Sequence, residues 1–166
     1  MTLDYEVSGE VNISQKGFVD KFLTQCDDVL GESNAPHDVN LFKVDNDLPM
    51  LDENKQDLFH SRTQSLLYLV KRTRADMQTV VGFLGRRVKK ATIEDWTKLR
   101  KTKNQKLRLR CGSGDIITTS FVDVAYGCHA DGKSHTGCCI YIGDYGAVYC
   151  KSSRQTIVTK SSSEAE

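Results

Sequence analysis

The 166-residue sequence predicts an α+β chain: a helical connection region followed by a small, incomplete mixed sheet. Three observations carry that expectation. Between Asp52 and Arg100, apolar residues recur at helical spacing. After Gly112 the period changes, and residues 116–125 (IITTSFVDVA) are β-branched and aromatic. Two further strand-like runs, 137–142 and 145–150, flank Gly143-Asp144, a hairpin signal.

Taken in order, residues 3–7 and 11–13 read as short strands around a turn at Ser8-Gly9. Ser14 reads as a helix N-cap ahead of Phe18, Val19, Phe22 and Leu23. Residues 26–50 break the periodicity with Gly31, Asn34, Pro36, Asn46 and Pro49, and read as a loop. Asp52 can cap a helix whose apolar positions are Leu58, Phe59, Leu66, Leu67, Leu69 and Val70. A second helix is expected from Asp76, carrying Val80, Val81, Phe83, Leu84 and Val88. Gly82 and Gly85 weaken it by up to ~1 kcal/mol each against Ala. A third helix starts at Thr92, which with Asp95 approximates a capping box, and Trp96 and Leu99 form its apolar side. Residues 155–159 (QTIVT) read as a short fourth strand. The closing SSSEAE reads as the opening turn of a helix that stops short, as if the chain were cut there.

The net charge of +1 hides an asymmetry. Residues 1–60 hold 13 acidic and 4 basic side chains, whereas residues 71–110 hold 14 basic and 3 acidic. The local excess of +11 points to an anionic partner more strongly than the total does. No apolar run of about 18 residues predicts a membrane span. MTLDYEVSGE lacks the basic and apolar regions of a signal peptide. An intracellular setting, cytoplasmic or nuclear rather than secreted, is therefore expected. The six cysteines (Cys26, Cys111, Cys128, Cys138, Cys139 and Cys150) then read as free thiols rather than a disulfide framework. Cys128, His129, His135 and Cys138 could be imagined around zinc, but their spacing matches no common zinc pattern. Adjacent Cys138 and Cys139 on a strand would also point to opposite faces.

Two runs, FVDVAYGCHADGKSHTG and AVYCKSSRQTIVTKSSSEAE, carry a family likeness. An Asp-bearing strand, a K-S-x-T-G turn, a strand pair and S-S-x-E-A-E stand in that order. This resembles the ribonuclease H region of copia-type retrotransposon Pol polyproteins. LFHSRTQSLLYLVKRTRADMQTVVGFLGRRV resembles the family's connection between reverse transcriptase and ribonuclease H, with Arg74-Ala75-Asp76 where the family has Arg-Pro-Asp. MTLDYEVSGEVNISQKGFVDKFL resembles the strands and helix that close the polymerase. The resemblance implies three regions: 1–50 from the reverse transcriptase end, 51–110 as connection, and 111–166 as part of a ribonuclease H-like region. The rest of the Pol polyprotein and an RNA–DNA hybrid are then the implied partners.

Ribonuclease H chemistry uses clustered carboxylates to hold two Mg²⁺ about 4 Å apart, one activating water and the other stabilising the leaving oxygen. Hard oxygen donors suit Mg²⁺. By resemblance, Asp123 matches the family's first carboxylate and Glu166 its helix carboxylate, with Glu164 a nearby alternative that falls out of register with the motif. Read without the resemblance, Asp123 is a solvated strand acid. The polymerase's paired-Asp motif and the next ribonuclease H Asp are not in these 166 residues, so an inactive fragment is expected, with no tightly bound Mg²⁺.

Residues 86–110 offer a nucleic-acid surface through Arg86, Arg87, Lys89, Lys90, Lys98, Arg100, Lys101 and Lys103. The alternative is a solvated helix face and linker. Only Trp96 interleaves the charges, which argues against base stacking and makes Trp96 a core anchor. His60 reads as a packed or surface histidine, and His135 as part of the KSHTG turn. A different class of protein also fits: a small non-catalytic nucleic-acid-binding or interaction module that uses 86–110.

Overall fold

The computed structural model describes residues 1–5, 10–26, 40–45, 47–101, 109–112, 117–143 and 146–166. The architecture is mixed α+β, with helices and two small antiparallel sheets. In the first sheet, β2 (Glu10–Ser14) lies between β1 (Thr2–Asp4) and β3 (Leu109–Gly112). The sequence expectation of two N-terminal strands holds, but β3 joins them from about a hundred positions downstream. The expected Ser8-Gly9 turn lies outside the described residues. Ser14 belongs to β2, and Gln15 precedes helix α1 (Lys16–Thr24) without a side-chain capping bond. Instead the Gln15 Oε1 accepts a 2.8 Å hydrogen bond from the Thr73 hydroxyl, tying α1 to the far end of the next helix.

Helix α2 (Glu53–Val70) begins as its sequence predicts, with the Asp52 carboxylate accepting from the Lys55 amide at 2.8 Å. That contact holds the Asp52 carboxyl below its ordinary range. Its buried stripe is Phe59, Thr63, Leu66, Leu69 and Val70, at spacings of three, four and seven that place them on one face. Leu58 falls off the stripe and is exposed.

The turn after α2 is held by Arg74, whose Nε and Nη2 donate to the two Asp76 oxygens at 3.0 and 2.9 Å. A short 3₁₀ turn (Ala75–Met77) therefore stands where the second helix was expected to start, and α3 spans Gln78–Arg87. α3 buries Val80, Val81, Phe83 and Leu84. A second 3₁₀ turn (Val88–Lys90) leads to α4 (Ile93–Lys101). Thr92 and Asp95 make the expected capping box. Trp96 packs partly buried against the core as an anchor, with the Arg62 guanidinium 5.0 Å from its ring centre.

The second sheet runs β4 (Thr118–Ala125), β5 (His135–Ile142) and β6 (Ala147–Arg154) in that order. Gly143 ends β5 at a φ of 66°, a backbone conformation that glycine adopts without strain, and its amide donates to the Ile117 carbonyl. β6 packs on α3, which ties the sheet to the helical core. β4 is the other sheet edge among the described residues, and Phe121 and Val122 on it are both exposed. An open edge with apolar side chains invites pairing with another strand.

Residues 155–159 do not form the expected fourth strand. The Gln155 amide donates to the Ser134 carbonyl, and its side-chain Nε2 donates to Thr136 Oγ1 and the Ala165 carbonyl. The chain is thereby drawn across the sheet end toward α5 (Ser162–Ala165) instead of along β6. No helix among the described residues is long and apolar enough to cross a membrane.

Candidate functional site

α5 packs against β4, so the two carboxylates singled out in the sequence stand on neighbouring elements. Asp123 is exposed on β4, and its Oδ1 accepts from the Val124 amide at 2.9 Å. Glu166 follows α5 directly and is exposed. Glu164 has another task. Its amide donates to the capping Ser161 hydroxyl, while its carboxylate accepts from the Lys160 amide at 2.7 Å. That reciprocal arrangement secures the start of a four-residue helix and commits the Glu164 side chain to it. Asp123 and Glu166 carry the hard oxygen donors that Mg²⁺ takes. Among the described residues, no group of three or more His, Cys, Asp or Glu side chains converges as a metal cage would.

The basic segment is divided by its own acids. The Arg87 Nε donates to both Asp95 oxygens at 2.6 and 2.7 Å, in a largely buried position. Lys98 pairs with Glu94 one helical turn away at 2.9 Å and donates to the Lys43 carbonyl. These two cations hold the fold together and are not open to a ligand. Arg86, Lys89 and Lys90 are exposed at the end of α3 and on the turn after it. Arg100 is half-buried on α4, and Lys101 closes that helix. Lys103 lies outside the described residues.

Where α3 meets β5 and β6, a cavity of about 360 Å³ is lined by Phe42, Phe83, Arg86, His129, His135 and Ser152, among others. One hydrogen-bond chain runs along its wall. The His129 Nε2 and His135 Nδ1 are 2.9 Å apart, the His135 Nε2 is 2.6 Å from the Ser152 hydroxyl, and that hydroxyl donates to Thr79 Oγ1 at 2.9 Å. Phe42 lies against both imidazoles, with ring centres 4.6 and 4.8 Å away. The chain links the turn after β4 to β5, β6 and α3 in sequence. His135 therefore opens β5 and is buried, where the sequence reading gave it a turn role. His60 is exposed on α2, and His37 lies outside the described residues. The direct contact between His129 and His135 is a hydrogen bond between imidazoles.

Burial, the His129 ring and Arg86 push the His135 pKa from the ordinary 6.5 down to about 4. Burial, Arg154 and Arg86 lower that of His129, with Asp131 acting in the opposite direction. The folded chain therefore holds a neutral His135 where the unfolded chain takes a proton. Stability from this group is complete above pH 6.5 and is lost as pH falls from there toward about 4. After allowance for solvent screening, we expect about 1–2 kcal/mol less stability near pH 5 than near pH 7. Urea denaturation at the two pH values measures this, and His135→Gln should remove most of the difference.

The sequence reading set His129 beside His135 only around an imagined zinc and missed Ser152 and Thr79, because the chain's members come from four separate places. The available signal was a pair of histidines bracketing the turn at Gly132, whose φ of 73° fits a glycine-dependent turn. Strand register then brings in Ser152, which faces Gly137, two residues from His135. No family model matches the chain, and comparisons with curated proteins and with solved structures also give no match.

Proposed function

We propose that the chain is a piece of a copia-type retrotransposon Pol polyprotein, and that these 166 residues hold nucleic acid without cleaving it. On this reading the helical connection docks on the first part of a ribonuclease H-like region. The observation that carries it is the order β4, β5, β6, α5: an antiparallel meander and a Ser161-capped helix packed on β4. Asp123 lies on that strand and Glu166 directly after that helix, the two positions whose motifs resemble the family's first and helix carboxylates. If Mg²⁺ binds, these two carboxylates are the ones to hold it; only a complete pair of such ions would activate water and stabilise the leaving oxygen. The exposed Arg86, Lys89 and Lys90 supply the positive surface for a phosphate backbone. An intracellular setting, cytoplasmic or nuclear, goes with this reading, as do the remainder of the polyprotein and an RNA–DNA hybrid as partners.

Two carboxylates do not complete a two-metal centre. The purified 166-residue chain is therefore expected to leave a labelled RNA–DNA hybrid intact in Mg²⁺ or Mn²⁺. Cleavage that disappears in Asp123→Asn would overturn the non-catalytic half of the proposal.

A further inference from the structure

We propose that Cys139 and Cys150 are a reversible thiol–disulfide site that takes a low-molecular-weight disulfide such as oxidised glutathione and closes a bond across β5 and β6. The two residues are direct partners in the antiparallel register. Directly opposed residues in such a pair have Cα atoms about 4.5–5.5 Å apart, inside the range a disulfide spans. Their side chains share one face, and the two Sγ atoms are 3.1 Å apart, so little backbone movement separates dithiol from disulfide. Neighbouring Cys138 faces Lys151 and points to the opposite side of the sheet. Cys26 is buried in the helical core. The pairing is thus specified by register.

The reaction balances with the small disulfide as oxidant. The Cys139 thiolate attacks one of its sulfurs, the small S–S bond breaks, and one small thiolate leaves. Cys150 then gives its proton to solvent and attacks the Cys139 sulfur of the mixed disulfide, releasing the second small thiolate. The protein loses two protons and two electrons, and one small disulfide becomes two thiols. The order follows from the surroundings of Cys150. Burial and the neighbouring Cys139 push its thiol up to about 12, so it keeps its proton in the first step.

The product staples β5 to β6 directly beside the open strand. Phe121 on β4 faces Cys139 and packs edge-on against Tyr141. Hydrogen exchange in β5 and β6 should slow on oxidation and return to its former rate on reduction.

The test incubates the reduced, folded full-length chain with oxidised glutathione, quenches with acid, alkylates the remaining thiols and reads disulfides by mass spectrometry after cleavage at Tyr141 and Tyr149. The 139–150 link is expected at roughly tenfold or greater excess over any other pairing, given the proximity that controls exchange. It should persist in Cys138→Ser and vanish in Cys139→Ser. Cys150→Ser should stop at the glutathione adduct on Cys139. Stable adducts on both cysteines of the wild-type chain, an equal yield of links through Cys138, or reaction only after denaturation would each overturn the proposal.

Discussion

Asp95→Ala is expected to destabilise the chain by about 3–5 kcal/mol, the scale for removing one partner of a buried ion pair. Asp95 is 1% exposed and serves two structures at once. Its carboxylate accepts both contacts from the Arg87 Nε, and it also accepts from the Thr92 amide at 2.9 Å and the Thr92 hydroxyl at 3.1 Å. Alanine leaves a largely buried guanidinium without its counter-charge and removes the acceptor that the Thr92 amide and hydroxyl use at the start of α4. Urea denaturation of the variant measures the loss. Arg87→Met in the Asp95→Ala background should recover part of it, because the stranded charge goes too. A loss under about 1 kcal/mol would mean that water solvates Arg87 more freely than its position implies.

Phe59→Ala is expected to cost about 3–5 kcal/mol, as for other large core aromatics cut to Ala. The Phe59 ring has no exposed surface, and it sits on the α2 stripe in the same core cluster as residues of α3 and α4. Removing it takes away the transfer free energy of the ring and leaves a cavity that backbone on three helices cannot fully close. Its neighbour Leu58 is 41% exposed, so Leu58→Ala should change stability by less than about 0.5 kcal/mol. The pair of adjacent variants reads the helical phase of α2 directly. Similar costs at both positions would contradict that phase.

That phase was not legible in the sequence: Leu58 reads as apolar beside Phe59, yet Leu58 is exposed and Thr63 is buried instead. The helix itself was legible because its apolar spacing is a local pattern. The Asp52 cap and the Thr92–Asp95 box were legible for the same reason, each being a contact over three residues. The strands β4, β5 and β6 could be read from composition, though β5 begins at His135 and β6 ends at Arg154, beyond the expected limits. What failed was decided at a distance. QTIVT has strand composition, but Gln155 spends its hydrogen bonds on Ser134, Thr136 and Ala165. Ser14 is a good capping residue by type, yet pairing with Thr2 keeps it in the sheet. At the candidate sites, motif order marked Asp123 and Glu166, while charge density alone marked Arg87 and Lys98. Charge density does not say which cations meet a carboxylate, and the acids of α4 take both. The chain from His129 to Thr79 depends on strand register and on where α3 crosses β6, neither of which is written in a local pattern.

The most direct test of the proposed function is fluorescence anisotropy of the full chain with a labelled RNA–DNA hybrid across a salt series, with the wild type set against a variant carrying Arg86→Gln, Lys89→Gln and Lys90→Gln. Counterion release makes log affinity fall linearly with log salt, by about 0.7–0.9 for each phosphate neutralised. The wild-type chain should bind with such a slope, and the triple variant should lose about 2–3 units of it while its fold by circular dichroism is unchanged. Binding that ignores salt, or that keeps its full slope in the triple variant, would contradict the account.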